Sequence, residues 1–546
     1  MATPAIINLP MMIRDTSGVW MSPSLETSAS GMTTPTEADD HGGSSSNGTK
    51  KDSPADPSNA EIGETQDDTP PYHIFTKRQK WIIVCLVSMA GTFSPLSSNI
   101  YFPAISSISS DLGVSEADIA LTITVYMIVQ GISPSLFGAI SDSVGRRVTL
   151  VTALVIYTGA NLGLAFTSSF PMLLVLRGVQ AAGSSATISI SVGVISDIAS
   201  ASERGGFIGT NAGMRMVGQA IGPVIGGLLN SAWGFRSIFW FLFCLSILAL
   251  ALLVVLLPET QREIAGNGSK SLSGLHRPCI FLARPPNVTG PAATSSPNLR
   301  PFKFKKVVQP LAHVFKKDIL ILLSWGAVVY SLWSMVTSST TTVLLQTFPR
   351  LTQWQIGLCF LPNGIGCVLG SLSTGWLLDK TFKRVEVEYQ KQHGLHSIDG
   401  KKSKDFPFER ARLPLMPYFS FVFIVSLALY GPSYEFNDLR SEFAPNLIAS
   451  LGSQFILAFT ATAVFNINST MLIDNFPDGA AGATATNNLC RCLLGAVGVS
   501  VIQPLIDAVK IRNAFLILAG VAVLFSPLVW VQWKLCEKWR MQRQQK

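Results

Sequence analysis

Apolar residues in this chain gather into long runs separated by shorter polar segments. Twelve runs of roughly 20 residues follow one another, which is the length a helix needs to cross a hydrocarbon layer of about 30 Å. A polar and basic segment, 259–318, divides them six and six. The runs begin near Trp81, Ile119, Val148, Met172, Phe207, Ser237, Ile319, Ile356, Leu413, Pro445, Ala480 and Ala514. The pattern predicts an all-α membrane protein whose twelve transmembrane helices form two six-helix halves.

The same pattern predicts the domain limits. Residues 1–70 are rich in Ser, Thr, Gly, Pro and Asp, so we expect a disordered tail there. The two halves are 71–258 and 319–533, and the central loop is 259–318. Residues 534–546 form a short basic tail.

Composition and charge place the chain in a membrane and give it an orientation. Hydrophobic residues make up 48% and charged residues 14%, which excludes an ordinary soluble protein. Lys and Arg concentrate in 259–318 and 380–412, whereas 106–118 holds none. The positive-inside rule therefore predicts that both termini and the central loop are cytoplasmic. The net charge of +8 reflects this orientation and indicates no nucleic-acid partner.

The residue types that carry catalysis or bind metals form no recognisable constellation. The eight cysteines fall mostly in apolar runs, where free thiols act as small hydrophobic side chains. The six histidines lie in polar segments, and the sequence contains neither a phosphate-binding glycine loop nor a nucleophile elbow. We therefore expect no enzymatic activity, no metal and no cofactor.

A repeated motif places an arginine inside two of the apolar runs. Asn211, Arg215 and Gly222 recur as Asn487, Arg491 and Gly498, each 276 positions later (487−211, 491−215, 498−222). A charged residue within a membrane costs several kcal/mol, so it points to a function. With a rise of about 1.5 Å per residue, both arginines approach the midplane, where transporters bind substrate between repeats.

The charges predicted at this depth are cationic. Arg177 enters from the opposite face and lies shallower, while the Asp and Glu residues lie near the ends of the runs. Cations without deep anionic partners suit a polyanion, because guanidinium groups bind carboxylates through paired hydrogen bonds. The predicted substrate-binding residues are Arg177, Arg215, Arg491, Gln180, Asn99, Tyr126, Gln130, Asn211, Asn487 and Asn488. For each arginine the alternative is a structural role, and for the polar side chains it is helix packing.

A second motif joins the second and third runs. It reads Gly138-Ala-Ile-Ser-Asp142-Ser-Val-Gly145-Arg146-Arg147, in which a glycine permits a tight turn and an aspartate can pair with arginines. It recurs as Gly375, Asp379, Lys383 and Arg384, with Phe382 at the position of the turn glycine. The second copy is therefore expected to fasten its helices less tightly than the first. The predicted gating residues are Gly138, Asp142, Gly145, Arg146, Arg147 and Asp379.

These motifs resemble those of the major facilitator superfamily. The segment 138–147 resembles its loop between helices 2 and 3, and Arg177-Gly-Val-Gln180-Ala-Ala-Gly183 resembles its helix 4 motif. The segment 218–227 resembles the helix 5 motif of drug:H+ antiporters with twelve spans. The resemblance implies the major facilitator fold, alternating access and proton coupling. Residues expected to shape a bend and allow close helix packing are Gly218, Gly222, Pro223, Gly226 and Gly227.

Five segments resemble the fungal citrate exporters more narrowly: 93–103, 124–131, 236–242, 334–341 and 487–496. This resemblance implies a monomeric plasma-membrane transporter that exports citrate or a related di- or tricarboxylate. No buried carboxyl or histidine stands out as a proton carrier, so a partly protonated substrate could carry the proton.

Two alternative functions remain open. The first is efflux of drugs or of an acidic secondary metabolite, although a cationic drug would require a deep carboxylate. The second is a nutrient sensor that does not transport, for which a long cytoplasmic signalling tail is expected.

Overall fold

The computed structural model describes residues 74–199, 201–266, 272, 276–278, 316–393, 406–434, 443–475 and 480–544. The helices of the first half are α1 (Lys77–Asn99), α2 (Ile105–Leu112), α3 (Glu116–Val144), α4 (Arg146–Ala165), α5 (Phe170–Ile198), α6 (Ala201–Trp233) and α7 (Arg236–Leu256), and the short α8 (Arg262–Ala265) lies in the central loop. Those of the second half are α9 (Lys317–Thr347), α10 (Gln353–Cys359), α11 (Leu361–His393), α12 (Phe408–Arg412), α13 (Met416–Tyr430), α14 (Phe443–Asn475), α15 (Ala480–Phe525) and α16 (Pro527–Gln544). The predicted tail 1–70 and most of the central loop lie outside the described residues.

The predicted all-helical membrane fold is confirmed. Ten stretches of the described residues are long and apolar enough to cross a membrane. The glycine-rich α6, which carries Arg215, is not among the ten. Gly482–Gln542 counts as one stretch, although Lys510, with φ 67, breaks α15 into two helical segments. If the parts before and after Lys510 are counted separately and α6 is included, the described residues contain twelve spans, as the apolar runs predict.

The connections between successive spans lie at two ends of the bundle. At one end, called the Gly113 end, Gly113 (φ 63) precedes α3, and Arg236 pairs with Asp111 at 2.9 Å. At the other, called the Gly145 end, Gly145 (φ 118) separates α3 from α4. Both φ values lie where L side chains are strained, so glycine permits these turns.

Glycines on α6 bring its backbone against neighbouring helices. A Cβ at Gly222 would lie 3.2 Å from the backbone nitrogen of Ile100, and one at Gly226 would overlap the Ile100 carbonyl. A Cβ at Gly227 would lie 2.8 Å from the Cα of Gly357 in the other half. Small residues therefore let α6 pack closely against both halves, as is common in membranes.

Contacts between the two halves occur at mid-depth and toward the Gly113 end. Thr124 of α3 and Ser500 of α15 share a hydrogen bond of 2.8 Å. Thr342 of α9 donates to the Glu116 carboxylate at 2.6 Å, and the Phe102 ring stacks on Phe360 at 6.3 Å between centroids. These contacts close the Gly113 end of the interface.

Candidate functional site

Arg491 of α15 is held in place by its own half. Its guanidinium carbon lies 4.6 Å from the ring centre of Tyr330 and 4.5 Å from that of Phe465. Its Nη2 donates to Asn488 Oδ1 at 2.7 Å, whereas its buried Nε has no hydrogen-bond partner among the described residues. Two rings and one amide thus fix the guanidinium and leave a donor unused.

Arg215 of α6 is much less constrained. It is partly exposed, and a Cβ at Gly91 of α1 would lie 3.8 Å from its Cδ. Among the described residues its guanidinium has neither a hydrogen bond nor an ion pair. Arg215 of the first half lies close enough to Arg491 of the second half for their like charges to interact.

Other predicted site residues surround this pair. Asn488 donates from Nδ2 to the backbone carbonyl of Gln130 at 2.8 Å, so one side chain links Arg491 to the opposite half. Asn211 donates to Ser191 Oγ at 3.2 Å, and its buried Oδ1 has no partner among the described residues. Asn487 is 5% exposed. The structure thus brings together the arginines of α6 and α15 with the amides beside them.

Arg177 lies elsewhere, in the interior of the first half. It is fully buried, and its guanidinium carbon lies 4.2 Å from the ring centre of Tyr101 and 4.3 Å from that of Tyr126. It donates to Gln180 Oε1 at 2.7 Å, and Gln180 donates in turn to Asn161 Oδ1 at 2.7 Å. These contacts join α3, α4 and α5. A substrate-binding role for Arg177 and Gln180 stays a prediction.

The remaining predicted polar residues bond within the first half. Tyr126 donates to the carbonyl of Ser94 at 3.1 Å, and Gln130 Nε2 donates to Ser94 Oγ at 2.9 Å. Asn99 donates to the carbonyl of Pro95, one turn earlier in its own helix, at 2.7 Å. A role in substrate binding for these three side chains is untested.

The first gating motif forms a network of charges at the Gly145 end. Arg146 pairs with Asp142 at 2.6 Å and with Asp197 at 2.9 Å, and its backbone nitrogen donates to Glu259 at 2.8 Å. Arg147 donates to the carbonyl oxygens of Leu253, Val254 and Leu257 at the end of α7. A Cβ at Gly138 would lie 3.6 Å from Ser189 Oγ, which allows α3 to approach α5. These contacts fasten α3, α4, α5 and α7 within one half.

The second copy of the motif is built differently. Phe382 replaces the turn glycine, and α11 runs through it without a break to His393. Arg412, from beyond the next loop, pairs with Asp474 at 2.9 Å and lies 3.9 Å from Asp379. Its guanidinium also lies 4.5 Å from the ring centre of Phe382. Arg412 therefore occupies the role that Arg146 has in the first half.

Acidic side chains with described partners lie at the ends of the bundle. The pairs of Arg146 and Arg412 are at the Gly145 end, and so is the bond from Arg540 to Glu409 at 2.8 Å. Glu116 accepts from Ser106 at 2.7 Å at the Gly113 end. Among the described residues, no carboxylate pairs with either mid-depth arginine. The described side chains at this site therefore carry a net positive charge.

Sequence reasoning missed three residues that position these charges. Tyr330 and Phe465 lie in apolar runs, where aromatic side chains look like ordinary core or lipid-facing residues. For Arg412, the sequence offers one indirect indication, which concerns its partner Asp474. Asp474 follows Asp197 by 277 positions (474−197), one more than the 276 that separate the two arginines of the repeat. This spacing predicts that the second copy of the motif also has a carboxylate partner. It does not predict that Arg412 supplies the positive charge.

Comparisons with known proteins agree with this architecture. The sequence model of the Major Facilitator Superfamily matches residues 87–390. Citrate exporter 1 of Aspergillus niger is 43% identical over 508 residues, covering 91% of this chain and 95% of that protein. Quinidine resistance protein 1 of Saccharomyces cerevisiae is 31% identical over 478 residues, covering 84% and 83%. The xylose transporter XylE from E. coli, in a partially occluded inward-open conformation, superposes with a TM-score of 0.58 at 15% identity, covering 83% and 97%.

Proposed function

Because the chain belongs to the Major Facilitator Superfamily, we propose that it exports a small organic anion, citrate or a related di- or tricarboxylate, by alternating access. The observation that carries this proposal is the pair Arg215 and Arg491. One guanidinium comes from each half, both lie at mid-depth, and neither pairs with a carboxylate of the described residues. The name of the Aspergillus niger relative supports citrate as the substrate.

In this proposal the protein is a monomer in the plasma membrane, and the Gly145 end faces the cytoplasm. Lys and Arg cluster in 259–318 and 380–412, which connect helices at that end. Any proton that crosses travels on a carboxyl group of the substrate, because no described Asp, Glu or His contacts the two arginines. The cytoplasmic network of Asp142 and Arg146 takes part in the gate.

The two arginines have unequal tasks. Arg491 is fixed by Tyr330, Phe465 and Asn488, so it offers the substrate carboxylate a preset donor. Arg215 has no such support and can move toward the bound anion. A polyanion between the two guanidinium groups replaces their repulsion with attraction, which draws α6 and α15 together and starts closure.

Efflux of labelled citrate from cells expressing the chain tests the proposal. We expect efflux from the wild type and only background efflux from the Arg215→Ala, Arg491→Ala double variant, with equal amounts of both proteins at the membrane. The control is Arg512→Ala, which removes an exposed arginine just after Lys510. Full efflux by the double variant would refute the assignment of the site.

A second candidate is efflux of an aromatic organic acid. The rings of Tyr330 and Phe465 beside Arg491 favour it, because they would stack on an aromatic substrate. One relative of this chain is named for quinidine resistance. Growth of expressing cells on toxic aromatic acids separates the candidates. Resistance without citrate efflux favours this second function.

A further inference from the structure

A cavity of about 610 Å³ lies at the Gly113 end of the bundle, away from the mid-depth arginines. Its wall consists of α2, of the turn between α6 and α7, where Gly234 has φ 73, and of Gln353, the first residue of α10. The volume falls within the range of roughly 300–1,000 Å³ that is usual for small-molecule sites. Because α2 and the turn belong to the first half and α10 to the second, a ligand in this cavity contacts both halves.

The wall of this cavity offers hydroxyl groups, an amide and one exposed aromatic ring. Ser107 and Ser110 line it from α2, three positions apart and so on one side of that helix. The Oε1 atom of Gln353 is buried and has no hydrogen-bond partner among the described residues. The same holds for both amide atoms of Asn230, which is 6% exposed and lies one turn before Trp233 on α6. Trp233 lines the cavity and is 76% exposed. These groups suit a ligand with hydroxyl groups along its edge and an apolar face for the indole.

The charged side chains that line the cavity already pair with each other. Arg236 Nη2 lies 2.9 Å from Asp111 Oδ2, and it also donates to the carbonyl oxygen of Thr167 at 3.0 Å. Ser106, which lines the cavity as well, donates to the Glu116 carboxylate at 2.7 Å. An anion here would compete with Asp111 for the guanidinium and would approach a second carboxylate. The cavity therefore favours an uncharged ligand, in contrast to the mid-depth site.

We propose that this cavity is a second binding site, which takes a neutral polyhydroxylated solute, a sugar or polyol, from the side of the membrane that the Gly113 end faces. Hydroxyl groups of the solute bond to Ser107, Ser110 and Gln353, and its apolar face packs on Trp233. A solute held by α2 and α10 together has to be released before these helices separate, so its binding favours the closed Gly113 end. This inference is independent of which anion the mid-depth site transports.

Titration of the purified full-length protein with glucose and with sorbitol tests the proposal, with tryptophan fluorescence as the signal. The protein is held in phospholipid nanodiscs, because detergents with sugar head groups would compete for the site. We expect a saturable change for at least one of the two solutes in the wild type and its loss in Trp233→Phe. The matched control is Trp240→Phe, which should keep the change. Trp240 is 39% exposed and packs against Phe166 and Phe243, and it does not line the cavity.

Two further variants test the contact with each half. Ser110→Ala removes a hydroxyl of the first half, and Gln353→Ala removes the amide of the second. Each should raise the dissociation constant of the solute about three- to tenfold, as the loss of one hydrogen bond does. A dissociation constant that Gln353→Ala leaves unchanged would overturn the bridge between the halves.

Citrate, at an ionic strength matched with potassium chloride, separates the two classes of ligand. A change with citrate that persists in Trp233→Phe belongs to another site and agrees with the proposal. A change with citrate that Trp233→Phe abolishes, without a response to either neutral solute, would overturn the choice of an uncharged ligand. No response of the wild type to glucose or sorbitol, or a response that Trp233→Phe retains in full, would overturn the site. None of these results bears on the export of an anion through the mid-depth site.

Discussion

Arg412 Nε lies 2.9 Å from Asp474 Oδ2, and this ion pair fastens the second half in the way that Arg146 and Asp197 fasten the first. The two basic residues do not correspond in sequence. A residue corresponding to Arg146 would be Lys383, which follows Phe382 on an unbroken helix. Because Phe382 is disfavoured at positive φ, the helix continues and Arg412 supplies the charge instead.

This arrangement predicts that Arg412→Gln destabilises the second half. Asp474 would lose the guanidinium that faces it in a largely buried position, a change that costs roughly 3 kcal/mol in comparable pairs. Thermal unfolding in detergent should show a lower midpoint for Arg412→Gln than for the control Lys383→Gln. The double variant Arg412→Gln, Asp474→Asn should recover part of the loss. Equal midpoints for Arg412→Gln and Lys383→Gln would contradict the role of Arg412.

Gly145 predicts a second difference between the halves. Its φ is 118, and a Cβ there would lie 2.5 Å from Glu259 Oε2, so Gly145→Ala introduces both strain and a clash. We expect a loss of about 1–3 kcal/mol in stability, seen as reduced folded yield after solubilisation. Gly375→Ala is the matched control, because Gly375 lies within α11 and its Cβ would meet nothing within 4 Å. An unaffected Gly145→Ala variant would refute this explanation.

The sequence predicted the fold well because lipid imposes one length on each apolar run. It also predicted that Arg215 and Arg491 lie within spans of opposite halves, because charge is rare in such runs and their spacing repeats. Their role in substrate binding stays a prediction. The sequence could not predict that Tyr330 and Phe465 contact the guanidinium of Arg491, since an aromatic residue in an apolar run can equally well face lipid, pack in the core or line a binding site. The pairing of Arg412 with Asp474 depends on the path of the chain between α11 and α12, and no local sequence pattern predicts that path.

The cage of rings around Arg491 yields a prediction about affinity. Phe465→Leu keeps an apolar side chain of similar size but removes a ring face, so the guanidinium is held less firmly. We expect the apparent KM for the transported anion to rise several-fold, equivalent to about 1 kcal/mol. Tyr330→Phe retains the ring and should change KM little. Equal KM values for Phe465→Leu and the wild type would show that the ring does not position Arg491.

Arg177 allows its structural and substrate-binding roles to be separated. Arg177→Lys keeps a positive charge but loses the planar group between Tyr101 and Tyr126 and the geometry of its bond to Gln180. If the role is structural, the unfolding midpoint falls while the KM of the folded protein is unchanged. A higher KM at an unchanged midpoint would instead make Arg177 a substrate ligand.

The bond between Thr342 and Glu116 predicts how the Gly113 end opens. It joins the two halves at 2.6 Å, and hydrogen bonds to a charged group contribute roughly 1.5–3 kcal/mol. Thr342→Val should therefore shift the protein toward states open at that end. Cys359, buried near the interface, reports the opening through its rate of maleimide labelling in a variant whose other cysteines are serine.

We expect Thr342→Val to speed this labelling about tenfold or more, since each 1.4 kcal/mol changes an equilibrium tenfold. The control is Thr337→Val, because Thr337 donates only to the carbonyl of Trp333 in its own helix, at 2.9 Å, among the described contacts. Both variants lose one hydroxyl from α9, but only one loses a bond between the halves. Equal labelling rates for the two would show that the Glu116 bond does not hold this end closed.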